Sequence, residues 1–190
     1  MAIKTFTSGE ILTASDTNTY LNNGGLVYIG EYSATSGSSL SVNNCFTSTY
    51  TSYRIVLRRA LISTGEQSLF LKLRVSGTDS VTAYYWGTTG YYSTNTTAND
   101  YGANNGNGFQ IGYISTFNTA ALTLDVLSPQ LAVNTQILGS YTFYVQGSGA
   151  IGARFIGGSH LVATAYDGFT LTTAGTITNL NVALYGYRQA

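Results

Sequence analysis

The sequence predicts an all-β protein, an antiparallel β-sandwich or jelly roll, led by one short helical segment. Three observations carry that reading. From residue 26 onward the dominant hydropathy period is two, the period of a strand with one buried face. The candidate strands are short, bounded by Gly, Asn and Ser, and no helical period of useful length interrupts them. Finally, the chain is 44% hydrophobic with 16 Tyr and 8 Phe, which suits 190 residues folding around a substantial core.

The first element is the exception to the β pattern. Thr13 is placed to cap a helix over residues 14–22, with Asp16 three positions on and near the positive end of the helix dipole. Gly24 or Gly25 can take the left-handed conformation that stops it. A helix this short and this rich in Thr is not stable alone in water. It must dock on something, through Ile11, Leu12, Tyr20 and Leu21. The chain therefore divides into an attachment or oligomerisation segment, 1–25, and a β-sandwich domain, 26–190.

VYIGEYS (27–33) opens the domain. YRIVLRRAL (53–61) and SLFLKLRVS (68–76) follow, separated by a Gly-containing stretch that reads as a hairpin. In the second, Leu69, Leu71, Leu73 and Val75 point one way and Phe70, Lys72 and Arg74 the other. FQIGYIST (109–116), LTLDVL (122–127), ILGSYTFYV (137–145), HLVATAY (160–166), FTLTT (169–173) and ITNLNVALYGY (177–187) alternate similarly. Pro129, the single proline, is expected to end the strand before it. WGTTGYYSTNTTANDYGANNGNGF (86–109) has almost no aliphatic residues and reads as one long loop, a place where function concentrates. No fixed-period repeat suggests a propeller or β-helix.

Charged residues make up only 8% of the chain, against about a quarter in ordinary soluble domains. Eight basic and eight acidic residues cancel, so nothing electrostatic draws the chain to nucleic acid. No apolar run reaches the ~18 residues of a membrane span, so no membrane insertion is expected. The start lacks a basic-then-apolar signal, which implies synthesis in a cytoplasm without cleavage. Cys45 is the one cysteine, excludes an internal disulfide, and reads as a half-buried filler.

Catalysis needs converging groups, and the sequence offers none. His160 is the single histidine and reads as structural; with Cys45 it lacks zinc-site spacing and partners. The carboxylates are scattered among turn-like contexts, no G-x-S-x-G elbow occurs, and no phosphate-loop or dinucleotide fingerprint appears. Neither a metal nor a cofactor is expected. Arg54 and Arg58 share one strand face and Arg59 the other, as in an edge strand guarded by charge. Arg188 is a candidate for pairing across a subunit boundary.

The aromatic residues are the most informative feature left. Tyr84, Tyr85, Trp86, Tyr91, Tyr92 and Tyr101, with Asn99 and Asp100 beside them, form a candidate surface for sugar rings or protein. The competing structural reading packs Tyr84 or Trp86 in the core and lets the remaining tyrosines cover a neighbour.

FTSGEILTASDTNTYL (6–21) resembles the opening of many small virion proteins of tailed phages, especially marine and cyanobacterial ones. The shared pattern is F-T-x-G-E-[VI]-L-T-A-x-D-x-N-x-Y-L. YDGFTLTTAGTITNLNVALYGYR (166–188) is similar to their last strands, and YRIVLRRALIST and LFLKLRVSG to their early ones. The resemblance covers about half the chain and implies a non-enzymatic structural protein, expected in the virion after synthesis in the host cytoplasm. Phe6, Ile11, Leu12, Tyr20 and Leu21 would attach it to other virion proteins, and a homotrimer is expected by analogy. Two placements follow: a tail fibre or receptor-binding part touching host surface glycan or an outer-membrane protein, or a capsid decoration protein stabilising the head. A carbohydrate-active β-sandwich enzyme and a free-standing lectin are the rivals from other classes.

Overall fold

The computed structural model describes residues 7–11, 13, 25–117 and 120–188. These form thirteen strands: β1 Leu26–Ala34, β2 Ser39–Val42, β3 Ser52–Ile62, β4 Glu66–Val75, β5 Thr78–Asp79, β6 Tyr84–Tyr92, β7 Asn95–Gly106, β8 Phe109–Ser115, β9 Ala121–Leu127, β10 Thr135–Val145, β11 Ala150–His160, β12 Gly168–Thr173 and β13 Ile177–Tyr187. Eight run side by side in the order β1-β13-β3-β9-β10-β11-β6-β7. Four more run β2-β12-β4-β8, with β5 folded back on the end of β4. Every pair is antiparallel except one parallel bridge, Leu61 to Ser115, which joins the two rows. The fold is all-β and consistent with the sandwich class.

Alternation explains why the rows face each other. Tyr53, Ile55 and Leu57 of β3, Leu122, Leu124 and Val126 of β9, and Leu180, Val182 and Leu184 of β13 are all buried. They share one core with Leu69, Leu71 and Leu73 of β4 and with Phe169 and Leu171 of β12. Each large apolar side chain taken from water contributes roughly 1.5–3 kcal/mol, and neither row can bury its apolar face alone.

The arginines of β3 show how a local irregularity redirects side chains. Asn181 pairs with Arg59 but Val182 pairs with Leu57, so Arg58 is an extra residue in β3. The bulge breaks the period, leaves Arg58 and Arg59 both exposed, and returns Ala60 and Ile62 to the core. The edge-strand expectation is therefore wrong: β3 lies between β13 and β9. Arg54 binds Asp125 at 2.7 and 2.8 Å, and Arg58 meets Glu31 at 2.9 Å.

Other expectations need correction. The strands around 53–61 and 68–76 are not a hairpin: β3 pairs with β13, β9 and briefly β8, whereas β4 pairs with β12, β8 and β5. Alternation specifies which residues face the core, not which strand lies alongside. The strand expected over 160–166 stops at His160. Beyond it the backbone bonds irregularly, Leu161 N–H to Ala83 and Tyr166 N–H to Pro129. The long loop over 86–109 is instead most of the β6–β7 hairpin and its turn into β8. Its Thr and Tyr residues favour a pleated strand without supplying the aliphatic pattern by which strands are read.

Pro129 follows the end of β9, as expected, and Cys45 is buried. Burial pushes its thiol up to about 12, so it stays protonated at neutral pH. The helical segment expected over 14–22, and with it Phe6, Leu12, Tyr20 and Leu21, lies outside the described residues. Ile11 is described and exposed.

Candidate contact surface

The β6–β7 hairpin closes the eight-strand row at the edge opposite β1. Its alternation sorts the predicted contact residues. Tyr84, Trp86, Thr88, Gly90 and Tyr92 of β6 face inward; Tyr85, Gly87, Thr89 and Tyr91 face out. Tyr84 is fully buried, while Trp86 and Tyr92 pack against the core. Tyr85 and Asn99 are half-buried and Asp100 is exposed. Only Tyr91, 56% exposed, and Tyr101, 47% exposed, present large aromatic area to solvent. They are not neighbours on one platform: Tyr91 pairs with Ala153 on the outer face, and Tyr101 lies opposite inward-facing Thr88.

What organises the inner side is a residue the sequence did not single out. Arg154 of β11 is only 2% exposed. Its Nη2 donates to the Tyr92 hydroxyl at 2.9 Å and its Nη1 to the Asn99 carbonyl at 3.1 Å. The guanidinium lies 4.5 Å from the Tyr101 ring centroid, 5.3 Å from Tyr92 and 5.8 Å from Phe143. Among the described contacts, aromatic faces and neutral oxygens take the place of a carboxylate. Burial raises the Tyr92 phenol, with the adjacent Arg154 charge pulling the other way. Gly90 makes the arrangement possible, because a Cβ there would strike the Ala153 carbonyl and the Arg154 backbone. A lone Arg amid glycines in AIGARFIGG carries no periodic signal of burial.

His160 closes the other end of β11. It is fully buried, with Nε2 at 2.9 Å from the Ser80 hydroxyl and Nδ1 at 3.2 Å from the Tyr166 hydroxyl. The Tyr84 ring stands edge-on at 4.4 Å. Ser, His and a third group in hydrogen-bond sequence are the outline of an activated nucleophile, but the third group is a phenol, and the imidazole ties β11 to the 161–167 segment. Three of the carboxylates serve the scaffold: Asp125 is held by Arg54 and Tyr187, Asp79 by Arg74 and Thr170, and Glu31 by Arg58 and Asn181. Burial works against ionised Asp125, yet Arg54 and the Tyr187 hydroxyl keep its carboxyl below the usual range.

Burial holds the His160 pKa below its ordinary value. The unfolded chain therefore binds a proton more readily than the folded one. This stabilisation is complete above the unfolded value of about 6.5 and is lost as pH falls through the lower folded value. The thermal midpoint should be flat above neutrality and fall as pH drops below ~6.5. In His160→Gln that slope should be largely gone; an unchanged slope would place its origin in another group.

Compared with family models, with curated proteins and with solved structures, the chain finds no match.

Proposed function

We propose that the chain is a non-enzymatic virion structural protein of a tailed phage, a jelly roll displayed on the particle surface as a receptor-binding or tail-fibre part. The observation that carries this is the separation of its two ends. The leader enters at β1, and the hairpin bearing Tyr91 and Tyr101 lies at the far edge of the same row. Seven strand spacings of ~4.8 Å put about 34 Å of sheet between them. Such a layout suits a protein tethered at one border and touching a partner at the other.

Two further observations support the reading. Residues 6–21 resemble the opening of small phage virion proteins. The orders β1-β13-β3-β9 and β2-β12-β4-β8 support a jelly roll of eight strands. On that scheme β5 and the β6–β7 hairpin are inserted between β4 and β8, and the β10–β11 hairpin between β9 and β12. Both hairpins lengthen one sheet outward from β9. Other virion proteins and sister copies in a homotrimer would be its structural partners, and host glycan or an outer-membrane protein its ligand.

The test is made on the particle. Phage carrying Tyr101→Ser, which lies off the outer face that carries Tyr91, should assemble with normal copy number and adsorb to host cells at least tenfold more slowly, as loss of an exposed aromatic anchor predicts. Unchanged adsorption, with cryo-EM density for this chain on the head shell, would replace this reading with capsid decoration.

A further inference from the structure

We propose that the outer face of β9, β10, β11 and β6 is the surface on which a second copy of this chain docks. This rests on the multi-copy part of the reading above and adds where the copies meet. The core lies on the other side of these strands, and among the described residues no layer covers this one. Their outward positions nevertheless carry large apolar groups. Phe155 is 69% exposed and Leu138 is 61% exposed, with Ile151 and Tyr91 exposed near them. A sheet apolar on both faces is the pattern of one covered on both faces.

The register explains the shape of this face. Phe155 stands between Ser140 of β10 and Thr89 of β6. Along its own strand the neighbours on that face are Ala153 and Gly157, opposite Tyr91 and Gly87 of β6. Phe155 thus rises beside the small Ala153 and Gly157, with Leu138 of β10 and Tyr91 of β6 diagonally across from it. Depressions of about 370 and 460 Å³ flank it, and Phe155 lines both. Knob and hollow occur on the same surface, so two copies related by a two-fold axis can each seat Phe155 beside the other's without any second kind of partner; this paired contact is a dimer and is distinct from the threefold arrangement drawn by analogy.

Size and charge agree with that occupant. Four strands at ~4.8 Å spacing and about 30 Å long offer a footprint of roughly 600 Å², near the ~800 Å² that each partner buries in a stable complex. Exposed apolar patches of a few hundred Å² on soluble proteins mark contact sites. Asp100 borders the face on the β7 side, and Arg54, paired with Asp125, borders it on the β3 side. A strongly charged partner would find little to pair with.

Sedimentation velocity and native mass spectrometry of the full chain decide the matter. At about 10 µM the wild-type chain should be a dimer. Phe155→Glu should sediment as a monomer with an unchanged circular dichroism spectrum. Should that variant fail to fold, Phe155→Ser, smaller and uncharged, should still weaken association at least tenfold. A monomeric wild-type chain, association that survives Phe155→Ser, or a monomer that binds glycan through Phe155 would overturn the proposal. Particle incorporation is measured separately, so a monomer in solution leaves the virion reading to its own test.

Discussion

Tyr84→Ala is expected to cost about 4 kcal/mol of folding stability, the range of large-to-small core substitutions. For a chain of this length that lowers the thermal midpoint by roughly 8–16 °C. Tyr84 is fully buried and stacks edge-on against Phe109 at 4.8 Å, joining β6 to β8. Its hydroxyl accepts the Leu73 N–H at 2.8 Å and donates to the Ser80 carbonyl at 3.1 Å. Alanine removes the ring, opens a cavity beside His160 and leaves a buried β4 amide unsatisfied. Tyr84→Phe separates these terms: it keeps the ring and loses only the hydroxyl, so about 1–3 kcal/mol should go. Burial also raises the phenol, so no part of either change comes from ionisation near neutral pH. Denaturant titrations of the two variants measure both terms. A midpoint within about two degrees of wild type for Tyr84→Ala would contradict the packing described here, because that is no more than the shift from ~1 kcal/mol.

The same residue marks how far sequence reasoning reaches. Strands with a buried aliphatic stripe, such as β4 with Leu69, Leu71 and Leu73, were legible because burial and period coincide there. Pairing was not: β3 and β4 follow one another in sequence, and only the three-dimensional register separates them. The β6–β7 hairpin reads as a loop by composition because its inward β6 residues are Tyr, Trp, Thr and Gly, while the backbone alternates. That alternation scatters the predicted contact cluster: Tyr84, Trp86 and Tyr92 pack inward, and Tyr91 and Tyr101 point to different faces. The bulge at Arg58 was invisible, since one inserted residue changes two side-chain directions without changing composition. Arg154 was missed for a related reason. Nothing local signals that a guanidinium will be buried when the rings that hold it come from β6, β7 and β10.

Arg154 is where the scaffold and the proposed contact surface meet. Arg154→Ala should destabilise the fold by about 3–5 kcal/mol, the scale for emptying a large buried side-chain site and stranding its hydrogen-bond partners. The Tyr92 hydroxyl and Asn99 carbonyl would each lose the Arg154 donor, and three rings would lose the plate they pack on. Two further substitutions identify which property matters. Arg154→Met keeps much of the volume and removes the charge from a site whose described contacts include no carboxylate, so it should recover more than half the loss. Arg154→Lys keeps the charge but has neither the fork nor the flat face, and should rank below Met. Lys matching wild type would mean that charge alone holds the hairpin; Met falling as far as Ala would mean that the hydrogen bonds do. Tyr101 gives an independent readout, because its ring rests on the guanidinium at 4.5 Å while half exposed to solvent. A cation–π contact of this kind is worth about 0.5–2 kcal/mol. In Arg154→Met the ring loses it, so under the proposed receptor-binding role phage carrying that variant should adsorb more slowly even with the fold intact. If stability and adsorption instead decline together across Met, Lys and Ala, Arg154 supports the sheet alone, and Tyr101 holds its position through β7.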